Sequence, residues 1–192
     1  MGVEFEIKFR ATPDVLAAID QAVAGEKQVI SMETTYYDTP NGDLAARRYT
    51  LRRRMENDNS VCTLKTPAEA GGRQEYELQE KTIEDAIPKL CKLCPVADLP
   101  RLLEKGVAPL CGAKFTRIAK TLSFGACVLE LALDQGILIG GGKEIPLCEV
   151  EVELKSGPRE GALAYAALLA ERYHLTQEDK SKFKRARDLA QG

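Results

Sequence analysis

Charge alternates with apolar residues at period two in segment after segment of this 192-residue chain, and that period belongs to β-strands. In the first segment Val3, Phe5, Ile7 and Phe9 point one way, while Glu4, Glu6, Lys8 and Arg10 point the other. Between positions 127 and 134, Cys127, Leu129, Leu131 and Leu133 share a face opposite Glu130 and Asp134. Cys148, Val150, Val152 and Leu154 stand against Glu149, Glu151, Glu153 and Lys155 in the same way. Shorter versions run from Leu51 to Met55, Val61 to Lys65 and Glu75 to Leu78, and a further strand is expected from Lys114 to Phe124.

Helical patterns lie between these strands. Thr12 or Asp14 caps a helix reaching Ala24, with Pro13 tolerated in the first turn. Weaker patterns cover Ile83 to Leu93 and Asp98 to Lys105, each interrupted by a proline, Pro88 or Pro100. Gly157-Pro158 opens an Ala/Leu-rich helix to Tyr173, and a last helix is expected from Gln177 to Leu189. Gly71-Gly72 and Gly140-Gly141-Gly142 read as turns. No repeat or linker divides the chain, so a single domain over residues 1–192 is expected.

About eight strands in mostly antiparallel succession predict an α+β fold whose sheet closes into a barrel. Amphipathic helices cover the apolar faces from outside, and the charged faces then line the interior. The competing reading is an ordinary sheet with one wet face, built from Glu/Lys alternation.

Chemistry favours the lined interior. Carboxylates two residues apart on a strand, in Glu4-x-Glu6 and Glu149-x-Glu151-x-Glu153, project to one side and repel unless a cation joins them. Oxygen donors of this kind suit a hard divalent ion. Arg52, Arg54 and Lys65 repeat the geometry with positive charge, and Arg117 and Lys182 are further candidates for gripping phosphate.

Other chemistries find little support. The single histidine, His174, disfavours Ser-His or Cys-His catalysis, and Gly140-Gly141-Gly142-Lys143 lacks the spacing of a phosphate-binding loop. Cys91-x-x-Cys94 has no second pair, so core cysteine is the expectation. A net charge of −2, from 27 basic and 29 acidic residues, gives no general attraction to nucleic acid or an anionic membrane. No run is long and apolar enough to span a bilayer and no signal peptide is visible, so a cytoplasmic location is expected.

In order along the chain, Glu4-x-Glu6-x-Lys8, Tyr36-Tyr37-Asp38-Thr39-Pro40, Leu51-Arg52-x-Arg54, Thr63-Leu64-Lys65, Glu75-x-Glu77, Arg117, Leu133-Asp134-x-Gly136 and Glu149-x-Glu151-x-Glu153-Leu154 resemble the CYTH family. Its members are also called triphosphate tunnel metalloenzymes. The resemblance implies an eight-stranded antiparallel tunnel, dependence on Mg²⁺ or Mn²⁺, and a small anionic triphosphate substrate. It assigns Glu4, Glu6, Glu149, Glu151 and Glu153 to the metal side, with Glu4, Glu6, Lys8 and Glu151 nearest the chemistry. It assigns Lys8, Arg52, Arg54, Lys65, Arg117 and Lys182 to the triphosphate, and makes Glu75, Glu77, Glu130 and Asp134 other lining acids.

The late motifs look most like the bacterial inorganic triphosphatase branch, which splits tripolyphosphate into pyrophosphate and phosphate. Thiamine triphosphatases, nucleoside triphosphatases and class IV adenylyl cyclases are alternatives within the family. A non-catalytic polyphosphate- or nucleotide-binding module is the alternative outside enzymology. Members of that branch often carry a C-terminal CHAD domain, so a chain ending at Gly192 is either a single-domain member or a piece of a longer one. A homodimer is compatible with the sequence. One departure is Arg48, where the family commonly has glycine before Leu-Arg-x-Arg.

Overall fold

Alternating segments become one large antiparallel sheet in the computed structural model, which describes residues 5–68 and 72–192. Val3, Glu4 and Gly71 therefore lie outside the described residues. The elements in order are β1 (Glu6–Arg10), α1 (Pro13–Ala22), β2 (Glu26–Asp38), α2 (Asp43–Ala46), β3 (Thr50–Glu56), β4 (Asn59–Pro67) and β5 (Arg73–Gln79). There follow α3 (Ile83–Leu93), α4 (Leu99–Leu103), β6 (Ala108–Phe124), β7 (Cys127–Gly140), β8 (Lys143–Ser156), α5 (Arg159–Tyr173), β9 (Thr176–Gln177) and α6 (Lys182–Gln191).

The strand order is β5-β4-β3-β2-β6-β7-β8-β1-β9. The expected α+β class holds, but the expected eight-stranded closed barrel is not made by hydrogen bonds. Nine strands form an open order with β5 and β9 at its ends, and no ladder joins those ends among the described residues. The edge of β1 that closure needs is partly taken. Phe9 pairs with Gln177, Arg10 with Thr176, and the Glu178 N–H donates to the Lys8 carbonyl at 2.8 Å.

The apolar sides of the strands are covered as expected. Phe9, Leu129, Leu131, Leu133, Val150 and Val152 pack under Leu16 and Ile19 of α1 and under Ala162, Ala166 and Leu169 of α5. On the β3–β5 half, Leu51, Leu64 and Tyr76 pack under Ile83 and Leu90 of α3 and Leu99 of α4. Both proline-interrupted helices form, the second over the shorter span Leu99–Leu103. Pro88 sits on the exposed side of α3, where the carbonyl it fails to bond can be solvated, and Pro100 lies in the first turn of α4.

Two expectations need correction. The sixth helix starts at Lys182 instead of Gln177, because Thr176–Gln177 pair with β1 and Ser181 caps α6 by accepting from the Lys184 N–H. That helix also lies on the opposite face of the sheet from the other helices. Its Ala186 and Phe183 pack with Met32, Tyr36, Phe115, Leu138 and Leu147, all on the charged face. Gly140 permits this seat, since a Cβ there would run into the Ala186 carbonyl. Among the described residues no helix is long and apolar enough to cross a membrane.

Candidate active site

The charged sides of the strands face one cavity of about 1050 Å³, with lining residues from all of β1 to β8. The wet-sheet alternative is thereby set aside for the β7–β8 part of this face, because its central carboxylates are buried. Glu149 and Asp134 are 0% exposed and Glu151 is 8% exposed.

One wall is acidic. Register places Asp134 of β7 beside Glu149 of β8, and Glu151 lies one inward position further along β8. These three carboxylates each offer an oxygen within 4.8 Å of the others. The Lys182 ammonium sits among them, at 2.8 Å from Asp134, 2.7 Å from Glu149 and 2.7 Å from Glu151. Arg117 grips Asp134 bidentately, Nε to Oδ1 at 2.8 Å and Nη2 to Oδ2 at 2.7 Å, and its Nη2 also reaches Glu151. Arg185 Nη2 donates to the second oxygen of Glu149.

Crowded charge divides the two glutamates. Burial pushes the Glu149 carboxyl up, and neighbouring Glu151 adds to the rise against Lys182 and Arg185. Burial alone would also raise Glu151, but Lys182 and Arg117 outweigh it and hold that carboxyl well below the usual range. Lys182 is correspondingly raised: burial, which lowers it, is overcome by its three carboxylates.

The facing wall is basic. Arg52 and Arg54 project from β3, Lys65 from β4 and Arg73 from β5. Arg52 and Lys65 both approach Glu75 at 3.3 Å, and Glu77 accepts from Thr63 at 3.1 Å. Arg54 pairs with Glu56, yet its Nε is buried without a partner among the described residues. Burial lowers its pKa, with Arg52 and Arg117 adding to the drop against Glu56. Guanidinium groups held this close favour an anion between them.

Not every expected metal-side residue joins the triad. Glu6 pairs with Lys8 at 2.9 Å, while Glu153 and Glu130 approach Lys155 at 2.8 and 3.4 Å. Asp134, expected as a lining acid, sits with Glu149 and Glu151 around Lys182. Sequence reasoning missed Arg73, Arg185 and Glu178. Arg73 was accessible, because the period that turns Glu75 and Glu77 inward also turns Arg73 inward. Arg185 was accessible too, three residues after Lys182 on one helix. Glu178 had no signal, since its place depends on the pairing of β9.

Three carboxylate oxygens that already surround an ammonium ion fit a hard divalent cation in donor type and spacing. A nucleophile is less well provided. His174 is exposed at the end of α5, away from the cavity lining. Burial pushes the thiols of Cys62 and Cys111 up to about 11 and about 12. Cys94 is buried in the core under α3 with Cys91 packed beside it, as expected for core cysteines.

The chain is similar to an inorganic triphosphatase of Haemophilus influenzae, 32% identical over 162 residues. That match takes in 80% of this chain and 46% of the relative, so the chain spans about half the length of that protein. Among solved structures it is similar to Hippeastrum HpAC1, described as having a dominant triphosphatase activity, with a TM-score of 0.65 at 19% identity over 96% of this chain and 95% of that one. The PH1819 protein of Pyrococcus horikoshii gives a TM-score of 0.65 at 20% identity, over 97% and 99% of the two chains. At such identities the two structures speak to the fold alone. The sequence profile of the CYTH domain matches residues 2–186, which takes in both walls of the cavity, and the chain belongs to the CYTH domain family.

Proposed function

We propose that the cavity binds a triphosphate and hydrolyses it with a divalent metal, the preferred substrate being inorganic tripolyphosphate. The observation that carries this reading is the ammonium of Lys182 seated among three buried carboxylates, in a cavity whose other side is arginine and lysine. A triphosphate needs both: cations along its oxygens, and a hard metal to offset charge at the reacting end. The similarity to an inorganic triphosphatase supports the same substrate.

Arg52, Arg54 and Lys65 would hold the phosphate chain extended, and Arg73 would add a contact on the same wall. Lys8, Arg117 and Lys182 would neutralise charge that builds on the phosphoryl oxygens. Asp134, Glu149 and Glu151 would hold Mg²⁺ or Mn²⁺, with Glu4, Glu6 and Glu153 as further acids of that side. When bound, the ion would polarise a phosphoryl oxygen and favour attack by water. Water adds to the terminal phosphorus, the bridging P–O bond breaks, and phosphate and pyrophosphate leave. The proton from water passes to a carboxylate of the acidic wall. The single-domain reading of residues 1–192 rests on one continuous sheet supplying both walls.

The test is phosphate release by the wild-type chain from tripolyphosphate, ATP and thiamine triphosphate, each with Mg²⁺ and with Mn²⁺, scoring cyclic AMP as well. Fastest turnover of tripolyphosphate supports the proposal. Faster turnover of an organic triphosphate moves the assignment to that substrate. Tight tripolyphosphate binding with no turnover under either metal would make the chain a binding module.

A further inference from the structure

Beyond the acidic triad, alternating charge continues from the cavity to the surface. Lys182 contacts Glu149, and the second oxygen of Glu149 accepts from Arg185 Nη2. Arg185 Nη1 lies 3.6 Å from Oε2 of Glu178, and the same oxygen takes Arg10 Nε at 2.7 Å. The other oxygen of Glu178 accepts the Lys180 N–H at 3.0 Å. Glu178 is 3% exposed, a rare degree of burial for a carboxylate.

Charges balance along this path. Arg10, Arg185, Lys182 and Arg117 stand against Glu178, Glu149, Glu151 and Asp134. Arg185 is divided between two buried carboxylates, Glu149 on one side and Glu178 on the other, and its Nε has no partner among the described residues. In an interior of low dielectric, the charge that Arg185 places on Glu149 depends on how much Glu178 draws off. A divalent ion entering the triad competes with that charge for the same carboxylate.

We infer that Glu178 is a positioning residue for the acidic triad: by sharing Arg185 with Glu149, it weakens the hold of Arg185 on Glu149 and leaves that carboxylate easier for a divalent cation to take. This rests on the proposed metal role of the triad. It assigns Glu178 and Arg185 opposite effects, which a merely structural pair would not have. Without the Glu178 charge, the hydrogen bond that Arg185 already makes to Glu149 tightens and metal binding weakens. Without Arg185, Glu149 loses a competitor and metal binding strengthens.

Mn²⁺ binding to the full chain, followed by calorimetry without substrate, tests this directly. Glu178→Gln should raise the Kd for Mn²⁺ about 10-fold, and Glu178→Asp should recover part of the loss. Arg185→Met should lower the Kd about 3- to 10-fold. In the Arg185→Met background Glu178→Gln should have no further effect, since the glutamate acts through the arginine. An unchanged Kd in Glu178→Gln, or an equal shift in both backgrounds, overturns the inference. If Glu178→Gln does not fold, Arg185→Met decides alone, and weaker or unchanged binding overturns it. A wild-type chain that binds no Mn²⁺ sinks the metal role itself, and the inference with it.

Discussion

Arg48 enters β3 with φ +61°, a left-handed conformation that costs an L-residue about 1–2 kcal/mol and glycine almost nothing. The glycine common at this position in the family thus has a backbone reason, and this chain bears the strain on an exposed side chain. Arg48→Gly should raise stability by about 0.5–1 kcal/mol after the entropy of a freer unfolded chain is subtracted, read as a Tm about 2 °C higher. A lower Tm contradicts this. Glu178 makes a second prediction at this scale. Burial alone would raise its carboxyl, but hydrogen bonds from Arg10 and the Lys180 N–H, with Arg185 nearby, hold it below the ordinary value of 4.5. A carboxyl depressed on folding adds stability above its unfolded value and loses it as the pH falls through the folded one. The Tm gap between wild type and Glu178→Gln should therefore narrow as pH is lowered from 7 to 3, and a constant gap would show that the charge is not what matters.

Helix α6 is the element on which the site depends most. It carries Lys182 and Arg185 into the acidic wall and sits on Gly140, where a Cβ would meet the Ala186 carbonyl. Gly140→Ala should cost about 1–3 kcal/mol through overpacking, and amide exchange across Lys182–Gln191 should quicken more than exchange in α5. Equal protection of α6 in both proteins would contradict that seat. The same helix marks where sequence reading stopped. Its Lys182 was legible, but its start was misplaced because two residues of β9 precede it without any alternating pattern. Strands β1, β7 and β8 were legible, since their apolar sides meet α1 and α5 while their charged sides meet the cavity. Strand β2 was not. Its inward Met32 and Tyr36 are apolar because α6 covers them, while outward Val29 is 59% exposed. A strand with apolar residues on both faces shows no clean period.

Across the described residues, the sheet brings an acidic and a basic wall into one cavity without closing by hydrogen bonds. Charge alternation revealed the lined interior, but strand pairing at the seam leaves no mark in a single strand's pattern, so closure was not legible there. The proposed function requires both walls at once, each for a different part of one ligand. Steady-state hydrolysis of tripolyphosphate with Mg²⁺ or Mn²⁺, in wild type, Glu151→Gln and Arg52→Ala, tests that requirement most directly. Glu151→Gln should lower kcat about 100-fold or more, as loss of an acid near the reacting end demands. Arg52→Ala should lower kcat/KM about 10- to 100-fold, as loss of a charged phosphate contact demands. Wild-type turnover should vanish when a chelator removes the metal. Full activity in either variant, or turnover without any divalent ion, would contradict the account.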